Sequence, residues 1–431
     1  MNSHQLKKMG FIFCFITFFL GSAQLLWSDE GKPEKAFDLK GSFRIRTEQD
    51  YKTDYLTERS LTPMRFRLDF NFHPEQDLQV FFQPQFSKSW GEPQYIGSGA
   101  AANKLTNSSG STFDSSLSVH QAYASYQAED WLNFVAGRQI FSYGNELILG
   151  ALDWNNTGRS FDALKIKIKH DSCSLDIFAS KIVDNNVSGS GDGDLDLYGI
   201  YHRWNTHQGS PQQAPNSTQG FDLYALYLRD AQGTTSNKNL WTFGARAEDS
   251  FLTHFDYRVE LTQQLSNTAG INTPDYQADA EIGWTLEEEN KLKLGVEGFV
   301  AGLNYNQLYP TGHKWLGYAD LFSRRNISGF VANFSRNFEK NLNAKLDYHL
   351  FHRTNTGGTA YKLDGTTPLG SISASDSSSL GSEIDLTLKY TLSPSLSLSA
   401  GGSLFFPGAF LKDVYGEDKP WFGFAQVEMS F

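Results

Sequence analysis

Cysteine is nearly absent: the 431-residue chain has two, Cys14 and Cys173. If the first leaves with an N-terminal leader, no internal disulfide can form. An exported chain of this length must then hold together by burial or by backbone pairing. Long apolar runs are equally scarce. Beyond the N-terminal segment none approaches the ~18 residues that a spanning helix needs, and mean hydropathy is −0.42. Positive charge is in deficit, with 37 Lys and Arg against 48 Asp and Glu and a formal net charge of −11. That balance excludes a nucleic-acid binder and a basic peripheral membrane protein. Catalytic signatures are missing too. There is no Gly-x-Ser-x-Gly elbow and no Walker-type phosphate loop. The histidines are scattered, and His349 and His352 fall on opposite strand faces, which gives no zinc site. No enzymatic activity and no cofactor are expected.

The N-terminus is a secretory leader by its pattern. Lys7 and Lys8 precede an apolar stretch from Phe11 to Leu20, followed by Gly21, Ser22 and Ala23. A basic start, a short apolar run and a small-x-small site define a signal peptide, which is too short to span a membrane. Residues 1–23 are therefore expected to be removed, with Ser28 as the alternative cleavage point. Residues 24–431 are expected to form one domain.

What the chain has in quantity is aromatic residues, 14% with 34 Phe and 19 Tyr, set among abundant Gly, Ser and Asn. About 18 stretches of roughly ten residues alternate apolar and polar side chains. The clearest is Leu61–His73, with Met64, Phe66, Leu68, Phe70 and Phe72 against Arg65, Arg67, Asp69 and Asn71. In Leu78–Trp90, Pro84 weakens the ladder. Short links such as Ala128–Trp131, Glu287–Asn290 and Thr391–Pro394 alternate with long ones such as Leu303–Arg325 and Thr354–Ser379. His207–Thr218 breaks the rule, being long on the short-link side. The pattern predicts an all-β fold: a single closed antiparallel transmembrane β-barrel of about 18 strands, with short periplasmic turns and long extracellular loops. The last stretch ends on an aromatic, Phe431, as barrels recognised by the outer-membrane assembly machinery do. The expected partners are outer-membrane lipid and that machinery, in a monomer of a Gram-negative outer membrane.

Gly137–Lys169 stands apart. It reads as a strand, a loop at about Tyr143–Gly158 and a strand alternating Leu164, Ile166 and Ile168 with Lys165, Lys167 and Lys169. The loop carries Leu147, Ile148, Leu149, Leu152 and Trp154. Apolar loops need cover, so this one is expected to fold into the barrel as a constriction.

Two stretches, GRQIFSYGNELILGALDWNNTGRSFDALKIKIK and LYPTGHKWLGYADLF (Leu308–Phe322), resemble the alginate export family of outer-membrane porins. The resemblance implies a monomeric 18-stranded barrel with an electropositive lumen that passes an anionic polysaccharide. On that basis Arg138, Asp153, Trp154, Arg159 and Asp162 match the first motif, and His313, Lys314 and Asp320 the second. The alginate exporter has a long periplasmic gating loop. Here the only candidate is His207–Thr218, which is shorter.

By alternation the inward cations are Arg44, Arg46, Arg65, Arg67, Lys165, Lys167 and Lys169, with Arg138 and Arg159 at the ends of the apolar loop. A ring of Arg and Lys selects anions, and Arg binds carboxylates bidentately. The same residues could instead brace the wall through partners such as Asp69, Glu48 and Asp162. Function therefore divides between a channel for anionic or polar saccharides and a general small-solute porin on the same scaffold. An outer-membrane enzyme and an adhesion barrel stand further off. Asp192, Asp194 and Asp196 in GSGDGDLDLYG have the alternate spacing of a calcium loop but lack the bidentate Glu, which favours a solvated loop over a metal site.

Overall fold

The computed structural model describes residues 37–52, 55, 57–90, 117–184, 193–205, 220–232, 238–268, 271–339, 341–371 and 375–431. The expected leader, Asp192 and the His207–Thr218 segment lie outside the described residues.

Phe37–Tyr51 pairs antiparallel on one side with Pro63–Glu75. On its other side it pairs with Trp421–Ser430 over ten residue pairs, from Ser42↔Ser430 to Tyr51↔Trp421. Every intervening strand pairs with its sequence neighbour, so the sheet closes on itself. The sheet counts 19 strands, but Glu58–Leu61 and Pro63–Glu75 lie in one line along Phe37–Tyr51. The wall therefore has 18 positions. Closure leaves no unpaired edge, the condition under which strands can cross a membrane. The register slips at Gln83/Pro84, where proline has no N–H to give the ladder. Beyond Ser430, Phe431 N–H donates to the Gly41 carbonyl at 3.0 Å and receives the reverse bond at 2.8 Å. Its ring lies where a Gly41 Cβ would stand, 2.4 Å from Cζ, so only glycine leaves room for it.

Period-two alternation sets the two faces. On Phe37–Tyr51 the residues Arg44, Arg46 and Asp50 are buried, and on Pro63–Glu75 so are Arg65 and Arg67. The opposite face shows Leu39, Phe72, Val80, Phe82, Leu164 and Leu261, all large and exposed. A one-residue slip would turn this apolar belt inward, so the register is strongly fixed. Aromatics concentrate at the outer ends near the short turns, among them Tyr126, Trp131, Trp204, Trp284 and Phe431. This is the girdle expected at a membrane interface.

The core is not within the wall. It is built inside the barrel by long loops that fold inward, and it joins Phe141, Leu147, Leu149, Tyr305, Leu316 and Phe322 to wall residues such as Phe178, Phe351 and Phe405. Each such side chain gains roughly 1.5–3 kcal/mol from leaving water. That gain offsets the cost of ordering loops that would otherwise be free. Two elements were not expected from sequence: a helix, Ala409–Tyr415, and a small hairpin of Ala360–Tyr361 with Pro368–Leu369.

Candidate functional site

Two inward loops meet and form a plug. The first spans 140–160 and the second 302–326. They join by a parallel bridge at Leu149↔Tyr309. Gly150 N–H donates to Tyr309 O (2.9 Å), Tyr309 N–H to Ile148 O (3.0 Å) and Thr311 N–H to Glu146 O (3.0 Å). The Thr311 hydroxyl donates to Glu146 Oε2 at 2.5 Å. Arg159 donates to the carbonyls of Gly150, Tyr309 and Pro310 at 3.2, 2.5 and 3.0 Å, and so ties the second loop to the root of the first. Burial holds the Arg159 guanidinium below its ordinary pKa. The two stretches that carry the family resemblance are thus one structure, although they lie far apart in sequence.

The wall's arginines hold this plug. Arg44 donates to the carbonyls of Asp153, Trp154 and Asn155 at 2.7, 3.0 and 2.8 Å. Arg65 grips the Asp153 carboxylate with a two-pronged fork, at 3.0 and 3.1 Å. Arg67 donates to the same carboxylate at 2.7 Å and to Gln85 at 2.6 Å. Burial would raise the Asp153 pKa, but the guanidinia of Arg65 and Arg67 outweigh it and hold the carboxyl below its usual range. Arg46 pairs with Glu48 at 2.5 Å and lies 3.8 Å from the Trp154 ring centre. Trp154 also stacks on His313, with ring centres 4.0 Å apart and planes 14° apart. His313 Nδ1 faces Asp320 at 2.8 Å. Trp154 is the joint at which wall, first loop and second loop meet.

Ser379–Ser393, three strands round the wall from Phe37–Tyr51, holds the second loop with carboxylates. Ala319 N–H donates to Glu383 at 2.8 Å and Tyr318 N–H to Asp385 at 3.3 Å. Gly317 sits beside them at φ +86, where a Cβ would come within 2.6 Å of the Glu383 carboxyl carbon. Backbone can approach that closely only at glycine. Trp315 lies between two further arginines, 4.5 Å from Arg258 and 5.6 Å from Arg324. Both of these bind Asp279, at 2.5 Å each.

The expected inward cations divide. Arg44, Arg46, Arg65 and Arg67 face inward but lie beneath the first loop, not on an open patch. Lys165 also faces inward, 3.9 Å from Asp176 and over the Phe141 ring. Lys167 and Lys169 continue that face and have no ion pair among the described residues; Lys169 is exposed. Lys314 is an exposed cation of the plug, held to the Asn145 carbonyl at 3.1 Å. Arg138 is a correction: register pairs it with Asp162 on the outer face, beside exposed Phe134 and Leu164. The two form an exposed ion pair at 3.0 Å there. Gly137 carries no side chain, so the alternation loses its phase just before the loop. Asp194 and Asp196, the described members of the acidic run, are ion-paired. Both bind Lys181, at 2.6 and 2.7 Å, and Asp196 also binds Arg229 at 2.9 Å. Two cations neutralise them, which is the opposite of a calcium loop. Sequence reasoning missed Arg246, Arg258 and Arg324 with Asp222, Asp279 and Glu297. Alternation in Tyr257–Glu260 and Asp279–Glu281 carried that signal.

The barrel closes as outer-membrane channels do, and its lumen is narrowed by its own loops. The profile of the family described as Alginate export matches residues 37–421, and the chain belongs to that family. Its fold and family make it an outer-membrane channel, not an enzyme. No curated protein matches it. Among solved structures it is similar to OccK9 (OpdG) of Pseudomonas aeruginosa, at 11% identity, TM-score 0.61, covering 93% of this chain and 100% of that one. It is also similar to OccK8 (OprE) of the same organism, at 9% identity, TM-score 0.61, covering 92% and 98%. OccAB2 of Acinetobacter baumannii shares 14% identity at TM-score 0.57, covering 93% and 99%. At these identities the likeness is one of fold.

Proposed function

We propose that this channel passes anionic saccharides, a polyuronate such as alginate by its family, along a path past the plug lined by Lys167, Lys169 and Lys314. The observation that carries this reading is the division among the cations. The arginines are consumed in holding the plug, whereas these three lysines make no ion pair among the described residues, Lys167 standing across the ladder from the Asp176 that faces Lys165. Unpaired lysines on a wet wall attract carboxylates over about a Debye length of ~8 Å at physiological salt, without the tight fork that would trap them. Weak contacts at several points let a chain slide. Export through a Gram-negative envelope would use the leader at residues 1–23, with assembly through the strand that ends at Phe431.

The test is reconstitution in planar bilayers. Anion selectivity in a salt gradient, with longer block by an oligouronate than by a neutral oligosaccharide of equal length, is the expected result. Equal block by the two, with no anion preference, would leave a general small-solute porin. One feature favours that second reading: the plug is a true apolar core, with Leu147, Leu149 and Leu316 all about 1% exposed, so the passage is narrow.

A further inference from the structure

Inward-facing aromatics at the level of the plug are buried, as Phe178, Phe299, Phe351 and Phe405 are. Phe81 and Tyr123 differ. Register places Phe81 opposite Asn71 and Tyr123, on the inner face, away from the exposed Val80 and Phe82. Both rings are partly exposed and lie outside the core. They stand side by side with ring centres 5.2 Å apart and planes 31° apart. Phe81 lies a few residues from the turn that follows Glu75, on the short-turn side of the plug. The next strand offers Gly137 opposite Tyr123, so no side chain closes over that ring from this direction.

What surrounds them is amide. Gln79 and Gln83 flank Phe81 along its strand, and Gln121 and Ser125 flank Tyr123. Same-face neighbours lie about 6.8 Å apart along a strand, so these groups rim the two rings. Gln79 donates to Asn71 at 2.8 Å, Gln83 to Asp69 at 2.6 Å and Gln121 to Gln83 at 3.1 Å. The amides are therefore pinned, with acceptor or donor valences left over. The Tyr123 hydroxyl has no hydrogen-bond partner among the described residues.

We infer that Phe81 and Tyr123, with their rim of fixed amides, form a stacking subsite for a pyranose ring inside the channel. A sugar ring has an apolar face of C–H groups and an edge of hydroxyls. A partly exposed aromatic pair bordered by amides matches both. The subsite recognises the ring and not its charge, so it serves neutral and acidic sugars alike. The lysines supply the preference for acid. The subsite presupposes the saccharide-channel reading above.

The experiment uses the full mature channel in planar bilayers with two probes, a neutral linear hexasaccharide and a hexauronate. Phe81→Ala and Tyr123→Ala are expected to shorten the block by both probes by about three- to tenfold, with the reversal potential in a salt gradient unchanged. Phe81→Tyr should keep the wild-type residence times. Phe81→Leu and Tyr123→Leu keep an apolar wall of similar size, and should still lose the block if the ring face matters. Wild-type residence times in folded alanine and leucine variants would overturn the subsite alone. Absence of block by either probe in the wild-type channel would overturn the saccharide reading and the subsite with it.

Discussion

Two sets of cations face the interior of one barrel and do different work. The arginines of Phe37–Tyr51 and Pro63–Glu75 are nearly inaccessible and spend their donors on a loop. Lys167 and Lys169 of Phe161–His170 sit on the same inner face and make no ion pair among the described residues. The chemistry of the two side chains explains the division. A guanidinium has five donors in a rigid fork, which suits it to several carbonyls and a carboxylate at once; an ammonium on a flexible stem is a strongly hydrated point charge. Position contributes as well. The arginines lie at the level to which the first loop descends, and Lys167 and Lys169 lie beyond it, toward the turn at His170–Cys173. A cation placed inside a pore is therefore not by that fact part of the pathway.

The largest effect should come from removing the forks. Arg65→Gln with Arg67→Gln leaves the Asp153 carboxylate without its charged donors, each hydrogen bond to a charged group being worth about 1.5–3 kcal/mol. The plug should undock, seen as a severalfold rise in single-channel conductance and a lower melting temperature. Unchanged conductance with lost anion preference would return these arginines to the pathway. Next in size is Trp154→Ala. It removes the ring between Arg46 and His313, a cation–π contact of about 1–2 kcal/mol where desolvated, and should give a noisier channel that keeps its selectivity. A quiet trace would show that the two loops hold each other without it.

Lys167→Gln with Lys169→Gln should act the other way. Anion over cation permeability should fall, more at low salt than at high, with melting unchanged. An unaltered reversal potential would remove these lysines from the pathway. The smallest effect is acid sensitivity. Asp153 has a depressed folded pKa, so its contribution is full above the ordinary carboxylate range near ~4 and is lost as pH falls through the folded value. Open probability should rise below about pH 4 and lose that dependence in Asp153→Asn. An acid response that survives in Asp153→Asn would assign the titration elsewhere.

Much of the wall was legible because alternation is a local signal. Leu61–His73 showed its faces residue by residue, and alternating link lengths indicated the closed ring. The inward fold of Tyr143–Gly158 was legible from its leucines. The phase of Arg138 was not, since Gly137 interrupts the alternation two residues before Leu132–Gln139 runs into its loop. Nor was the partnership of the two loops. Tyr309 and Thr311 carry nothing in sequence that names Leu149 or Glu146 as neighbours. The sequence showed that Leu303–Arg325 was long, but not that Trp315, Leu316 and Phe322 would need the interior to cover them, although those residues were in plain view. The pairs of Arg246, Arg258 and Arg324 with Asp222, Asp279 and Glu297 needed register, which depends on strands being adjacent in space.

The bond between Thr311 and Glu146 spans 165 residues of chain, and that of Arg44 with Asn155 spans 111. Contacts so remote form late, because the entropy of closing such loops must be met before they return anything. Neighbouring hairpins can zip one by one, but the plug needs the first loop, the second loop and both ends of the wall present together. The order of events in assembly follows: a ring first, its stopper afterwards. For an interval the newborn barrel should be a wide, unguarded hole. Brief high-conductance openings during insertion, followed by a step down to the mature level, would be the trace of its loops falling into place.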